Sequence, residues 1–321
     1  MTTMKEVAKE AKVSLGSVSN VINNKPVRPE TKRKVEAAIE KLNYEKNDLA
    51  SGFKTNRTKT IGLIIPTVWH PFFSQIAFYV EKYLLEDGYK LLLCNSNGNA
   101  GSELQYIQLL RQNMIDGIIA ITYSDIEMYI NSKLPFVSID RIFSTNVNFV
   151  ASKNYEGGRL AGKTLVDKGS KNLIFIGSHN KFVNATMDRR KGFVSFCKEN
   201  NINYEVIDLL EPYQGLDLEI KKAFAKNPKI DGIFALNDFL GLDIIKILEE
   251  IDRYPIRDYQ IIGFDGIKLS FERDYVISTI AQPISGIARK SVEILLKNIE
   301  DENHKENAYL PVDFKDGGTT W

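Results

Sequence analysis

Hydrophobic positions change their period twice along the chain. Over residues 4–23 they recur at helical spacing. Val7, Ala8 and Ala11 share one face of a first short helix, and Val18, Val21 and Ile22 share one face of a second, with Val13 at the joint. Ser14 stands where it would cap the second helix. The opposite face of that helix carries Leu15, Gly16, Ser17, Asn20 and Asn23, mostly small or polar. After a connection stiffened by Pro26 and Pro29, the period returns over 30–42, with Val35, Ile39 and Leu42 facing inward. Residues 45–59 lose it: Leu49, Ala50 and Phe53 are the apolar residues of a short basic stretch. Such a stretch is too weak for a stable helix alone, and reads as a linker or as a segment that folds on binding.

From Thr60 the apolar residues gather into short unbroken runs. Strands over 61–65, 89–96, 116–121 and 135–140 alternate with helices over 72–88 and 103–113 and a short one over 125–132. The alternation then starts again. Helices are expected over 157–168, 189–200, 216–227, 238–251 and 284–300, with strands over 173–177, 204–209, 231–236, 260–265 and 279–281 and a terminal strand over 310–315. Such alternation predicts an α/β fold with parallel sheets covered on both faces. DGII at 116–119 and DGIF at 231–234 hold equivalent places, which suggests two similar lobes. Ligands in open α/β sheets bind beyond the carboxyl ends of the strands, so two facing lobes would enclose a cleft that closes by a hinge.

The first helices have the pattern of a helix-turn-helix, whose second helix enters the DNA major groove. An ordinary αα-hairpin packed on something else shows the same pattern. Charge bears on the choice. The net charge of +1 conceals thirteen basic against seven acidic residues in the first 60, and 29 against 34 in the remainder. A basic head on a mildly acidic body suits a head that meets phosphates. Lys32, Arg33 and Lys34 are either phosphate contacts or a solvated helix face.

Composition narrows the function class. With 43% hydrophobic and 26% charged residues the chain is globular. No apolar run approaches the roughly eighteen residues of a membrane span, and no apolar segment follows Met1, so neither a membrane partner nor a secretory signal is expected and the cytoplasm is the expected location. Cys94 and Cys197 lack metal or redox spacing and read as buried free thiols. His70, His179 and His304 are scattered, there is no nucleophile elbow, and the GGRLAG cluster at 157–162 is explained by helix packing. No metal, no cofactor and no enzymatic activity are expected.

The motifs then converge. VAKEAKVSLGSVSNVIN, LNYEKNDLASGF, TIGLIIP, HPFF, SIDR, NYEGG, DRRKGF, ALND, GFDG and TIAQP follow one another in an order and at intervals through which the whole chain resembles the LacI/GalR family of bacterial transcriptional repressors. The resemblance implies a helix-turn-helix DNA-binding domain at 1–44, a hinge helix at 45–59 that forms on the operator, and a two-lobed, periplasmic-binding-protein-like core at 60–321. It places the N-lobe at about 60–152 and 284–310 and the C-lobe at about 153–283 and 311–321. It further implies a homodimer on a pseudo-palindromic double-stranded operator, controlled by a small ligand between the lobes. A sugar or sugar phosphate that induces is the expected effector. The alternatives are a purine-type effector, or a corepressor-dependent global regulator of carbon metabolism partnered by a phosphocarrier protein. A sugar-binding transport protein would fit the core but not the basic head. The C-terminus has no leucine heptads, so a dimer is expected rather than a tetramer.

The resemblance also assigns residues. Leu15, Gly16 and Asn20 match base-reading positions; Asn20 suits a bidentate contact to adenine, Leu15 a thymine methyl, and Gly16 only permits close approach. Ser14 and Ser17 would cap the helix or bond phosphate, and Asn23 shares their face. In the hinge, Asn47 and Ala50 match, and Phe53 replaces the usual leucine that wedges into the minor groove, unless it packs between paired hinges. Lys46, Ser51 and Gly52 depart from the pattern, and Gly52 lowers helicity. For the effector, Phe72 and Phe73 would stack on a ring, with Asp140, Arg141, Arg189, Asn237, Asp238, Asp265 and Gln282 supplying polar contacts. Lys153, where aspartate is usual, would put positive charge near the cleft or the lobe crossover and favour an anionic or phosphorylated effector.

Overall fold

The computed structural model describes residues 2–44, 57–130, 134–143, 147–212 and 214–321. The chain divides into two compact units, Met1–Thr58 and Lys59–Trp321. The expected hinge contacts Asn47, Ala50 and Phe53, and the departures Lys46, Ser51 and Gly52, lie outside the described residues.

The first unit holds three helices, α1 (Met4–Ala11), α2 (Leu15–Ile22) and α3 (Pro29–Lys41). Thr3 and Glu6 form a capping box that closes the start of α1, with the Thr3 amide donating to the Glu6 carboxylate at 2.7 Å. Lys12 turns the chain in the left-handed region at φ 54°. Ser14 then caps α2 by accepting from the Ser17 amide at 3.1 Å. Val7, Val18 and Val35, one from each helix, are fully buried together, and Ala8, Ala11, Val21 and Ala38 complete the core. The inward faces are those that the helical spacing predicts.

The second unit is built on two six-stranded sheets. The first sheet comprises β1 (Thr60–Ile65), β2 (Lys90–Asn95), β3 (Gly117–Ala120), β4 (Phe136–Ile139), β5 (Asn148–Ser152) and β11 (Ala308–Leu310). It is wholly parallel in the order β11-β5-β4-β3-β1-β2. The second comprises β6 (Asn172–His179), β7 (Asn203–Leu210), β8 (Gly232–Ala235), β9 (Gln260–Asp265), β10 (Thr279–Ala281) and β12 (Asp313–Lys315). Its order is β12-β10-β9-β8-β6-β7, with β12 alone antiparallel. The DGII and DGIF strands, β3 and β8, occupy the same place in the two orders. Helices α4 (Pro71–Glu86), α5 (Ala100–Gln112) and α10 (Ile284–Glu300) pack with the first sheet. Helices α6 (Asn154–Asp167), α7 (Met187–Glu199), α8 (Leu216–Lys226) and α9 (Asp238–Glu249) pack with the second. Because α10 and β11 return to the first sheet, the chain passes between lobes three times, near residues 153, 283 and 311.

The structure departs from the sequence reading in three places. The strand β5 was not expected: its ends, Asn148 and Ser152, are polar, yet both are buried and paired through side chains, Asn148 to the His304 carbonyl at 3.2 Å. The expected single terminal strand over 310–315 is two strands in different sheets, interrupted at Pro311, which removes a ladder donor. Of the expected helix over 125–132, the described residues up to 130 form one 3₁₀ turn, Glu127–Tyr129, too short to bury a face. Cys94 and Cys197 are free and buried, and burial pushes their thiols up to about 11 and about 12. Among the described residues no helix is long and apolar enough to cross a membrane.

Candidate functional site

The carboxyl ends of β1, β3, β4, β6, β7, β8 and β9 surround a cavity of about 240 Å³ between the two lobes of the second unit. The first lobe supplies His70, Phe72 and Phe73 at the start of α4, Tyr123 beyond β3, and Asp140 beyond β4. The second supplies Ser178 and His179 at the end of β6, Asn180, Asn184, Thr186 and Arg189 after it, Glu211 beyond β7, Leu236 and Asn237 beyond β8, and Asp265 at the end of β9. Gln282 lines it from a crossover between the lobes.

Seven of the nine residues expected at the cleft line it: Phe72, Phe73, Asp140, Arg189, Asn237, Asp265 and Gln282. Arg141 and Asp238 do not. Arg141 is buried beside Asp140 with its guanidinium over the rings of Phe143 (4.5 Å) and Phe182 (5.4 Å), donating to the Ser124 carbonyl. Asp238 is fully buried and accepts from the Ile267 amide at 2.7 Å, tying down the turn that follows Asp265. Burial first, and then the nearby Asp265, hold its carboxyl well above the usual range. Lys153 is exposed at a crossover between the lobes, one of the two places expected for it, and is not among the lining residues.

The floor of the cleft is one hydrogen-bonded network. Arg189 donates from Nε to Asn154 Oδ1 and from Nη1 to the Leu236 carbonyl, both at 2.8 Å, and pairs with Asp265 Oδ1 at 3.3 Å. Its guanidinium lies 3.7 Å from the centre of the Phe264 ring. Gln282 donates to Asp265 at 2.8 Å and accepts from Ser152 at 2.7 Å. Asn154 bridges back to Asp140 at 3.5 Å. Asp140 and Asp265 both lie in the left-handed region, at φ 58° and 110°. Strain of this kind costs on the order of 1–3 kcal/mol and collects at functional sites. It turns both carboxylates off their strand ends toward the cavity.

What positions Arg189 is a helix crossing. At Gly158 an added Cβ would meet the Arg189 carbonyl oxygen at 1.9 Å, and at Gly192 it would meet the Tyr155 carbonyl oxygen at 1.9 Å. The backbones of α6 and α7 therefore touch, which is the packing role expected for the GGRLAG cluster. Facing Arg189 across the cavity is an aromatic wall: His70 lies tilted against Phe73 at 5.1 Å and meets Phe239 of the other lobe edge-on at 4.6 Å. Burial, aided by the charge of Arg189, lowers His70 to about 4, so it is neutral at ordinary pH.

Asp140 carries a pH dependence. Burial first, opposed by Arg189 and reinforced by Asp265, raises its carboxyl from 3.8 to about 6. Below pH 4 it is protonated folded and unfolded alike. Between pH 4 and 6 the unfolded chain has given up this proton while the folded chain keeps it, so stability falls across that window and levels off above pH 6, where the folded chain too holds a carboxylate, but a buried one. Asp140→Asn, which tolerates the left-handed backbone, is therefore expected to stabilise the core above pH 6, by up to about 3 kcal/mol at roughly 1.4 kcal/mol per unit, with the gain vanishing below pH 4. Melting curves of both proteins from pH 4 to 8 check this.

On the first unit, Leu15, Gly16 and Asn23 are exposed on α2, and Ser17 and Asn20 are partly so. Ser14 and Ser17 bond each other at 2.9 Å in the helix cap. Asn23 donates to the Ser19 carbonyl at 2.8 Å, closing the other end. Three of the expected contact residues thus bond within the ends of α2, and Leu15, Gly16 and Asn20 are the others expected to meet DNA from it.

Sequence reasoning missed His70, Tyr123, Ser178, His179, Asn180, Asn184, Thr186, Glu211 and Leu236 as lining residues. Most directly follow an apolar run, and the strand-end rule pointed to them. Asn184 and Thr186 lie in an irregular segment that carries no such signal.

Residues 3–47 match the family described as bacterial regulatory proteins, lacI family, and residues 58–316 match periplasmic binding proteins and sugar binding domain of LacI family. The chain is 34% identical to a sucrose operon repressor of Streptococcus mutans over 97% of both chains. It is 33% identical to a ribose operon repressor of Halalkalibacterium halodurans, over 94% of this chain and 91% of that one. A crystal structure of a periplasmic binding protein/LacI transcriptional regulator from Alkaliphilus metalliredigens, complexed with D-xylulofuranose, aligns with a TM-score of 0.71 at 30% identity, over 82% of this chain and 99% of that one.

Proposed function

Since the chain belongs to the LacI family of bacterial regulatory proteins, and so is a DNA-binding transcriptional repressor controlled by a small ligand, we propose that its effector is a neutral sugar of about one ring. The observation that carries this reading is the lining of the cleft. Aromatic residues form one wall, and hydroxyl, amide and carboxylate groups form the other. A sugar ring has an apolar face and a rim of hydroxyls that both donate and accept; a purine carries fewer such groups, each at a fixed edge position that only donates or only accepts. About 240 Å³ falls just below the 300–1,000 Å³ usual for ligand pockets, room for one ring rather than two. Three carboxylates, Asp140, Asp265 and Glu211, line it against the one guanidinium of Arg189, which is already paired. A phosphate ester would meet net repulsion, so the anionic effector expected from Lys153 is set aside.

Thermal shift of the intact protein tests this against ribose, xylulose, fructose, sucrose, their phosphate esters, guanine and hypoxanthine. A neutral monosaccharide at a hundred times its Kd adds about 2.7 kcal/mol of stability, equivalent to a rise of roughly 5–10 °C. A rise only with esters or purines would refute the reading.

The protein then works as a cytoplasmic homodimer on a pseudo-palindromic operator, with no chemical step. A second copy fits the first lobe where apolar side chains stand in water: Phe78 and Leu85 on α4, and Leu92 and Leu93 on the edge strand β2. Sugar closes the lobes and lowers operator affinity. At the reading face, Asn20→Ala is expected to cost about 1–3 kcal/mol at adenine positions and to relax preference there. Selection of duplexes from a random pool by both proteins measures it.

A further inference from the structure

Glu211 stands apart from the buried network of the cleft. It follows β7 at the rim, where its amide donates to the His179 carbonyl at 2.9 Å and its Oε1 accepts from Ser178 Oγ at 2.6 Å. Those two bonds fix the carboxylate beside the end of β6, among the polar groups of the second lobe. An ionised carboxylate has about four acceptor positions, and Ser178 occupies one. Among the described residues no lysine or arginine forms an ion pair with Glu211, and the cation of the cleft, Arg189, is held by Asp265. The deep carboxylates differ: Asp265 is paired with Arg189 and accepts from Gln282, both at Oδ1, and Asp140 lies beside Asn154. Glu211 is thus an oriented acceptor with room to receive donors and, among the described residues, no lysine or arginine paired to it.

Building on the neutral-sugar reading, we propose that Glu211 determines effector specificity. Its carboxylate accepts from adjacent hydroxyls of the sugar and repels the phosphate ester of the same sugar. Two vicinal hydroxyls present two donors to one carboxylate, and bonds to a charged acceptor are about twice as strong as neutral ones. A phosphate group brings acceptors only and a like charge, so the same residue that binds one form excludes the other.

Calorimetric titration of wild type, Glu211→Gln and Glu211→Lys with ribose, xylulose and fructose, each with its phosphate ester, tests this. Unligated melting temperatures should agree closely, because Glu211 is exposed and outside the core. Glu211→Gln is expected to weaken the best neutral sugar about tenfold or more and to shrink its advantage over the ester. Glu211→Lys is expected to reverse the preference. Neutral sugars binding all three proteins with an unchanged preference over their esters would overturn the role of Glu211 and leave the neutral-sugar reading standing. Wild-type protein that takes up only esters would overturn both.

Discussion

Arg189→Met is expected to yield a core that folds less stably by about 3 kcal/mol and no longer binds sugar. Arg189 is buried and joins Asn154, Asp265 and the end of β8 through three contacts of 2.8 to 3.3 Å. Removing one member of a buried pair costs about 3–5 kcal/mol, because the remaining charge is left in a poor solvent. Here the low end applies. Burial already raises the carboxyls of Asp140 and Asp265, so both can take up protons when the guanidinium is lost. The expected signature is a core transition lowered by roughly 6–12 °C at neutral pH, with the deficit smaller at pH 5. Arg189→Lys keeps the charge but not the fork. It should recover most of the stability and little of the sugar affinity. Calorimetric melting and sugar titration of the two variants separate these outcomes.

Gly158→Ala is expected to be almost as damaging, although it adds one methyl group at a residue that does not line the cleft. The new Cβ would lie 1.9 Å from the Arg189 carbonyl oxygen. That oxygen belongs to the backbone of α7, so no side-chain rotation relieves the clash and the helices must part. Overpacking of this kind costs about 1–3 kcal/mol and sometimes more. It also shifts Arg189 relative to Asp265, so sugar affinity should fall by more than the loss of stability alone explains. Gly192→Ala clashes with the reciprocal carbonyl, that of Tyr155, at the same 1.9 Å and should behave alike. Denaturant unfolding, with sugar titration under folded conditions, measures both effects.

The parts of the molecule legible in the sequence were those fixed by burial period. Val7, Val18 and Val35 meet because each helix has one apolar stripe, and the sheets follow from runs such as Ile61–Ile65 that are buried on both faces. What was not legible depended on partners distant in sequence. β5 has a strand's burial but a loop's composition, because Asn148 finds its bonds near residues 304 and 306. The break at Pro311 separates two sheets that no local pattern distinguishes. At the site, the strand ends bring Asp140, Asn237 and Asp265 to the cavity, but not their neighbours Arg141 and Asp238. Asp140 takes a left-handed backbone and its neighbour Arg141 packs among aromatic rings, while Asp238 enters α9 and is buried behind it. Alternation along an extended chain does not survive such turns. The charge of the lining was not legible for a related reason: Lys153 is exposed at the crossover and does not line the cleft, whereas Glu211 arrives from a loop with no distinguishing pattern.

Coupling between sugar in the cleft and operator on the head is the centre of the proposed function. The direct measurement is the affinity of intact protein for a duplex it has itself selected, followed by fluorescence anisotropy with and without the saturating neutral sugar identified by thermal shift. Coupling of about 1–3 kcal/mol corresponds to a 5- to 150-fold change. The account predicts weaker operator binding of that size with sugar present, and no such change in Arg189→Lys. Sugar that binds the cleft of the wild-type protein tightly and leaves operator affinity unmoved would contradict it.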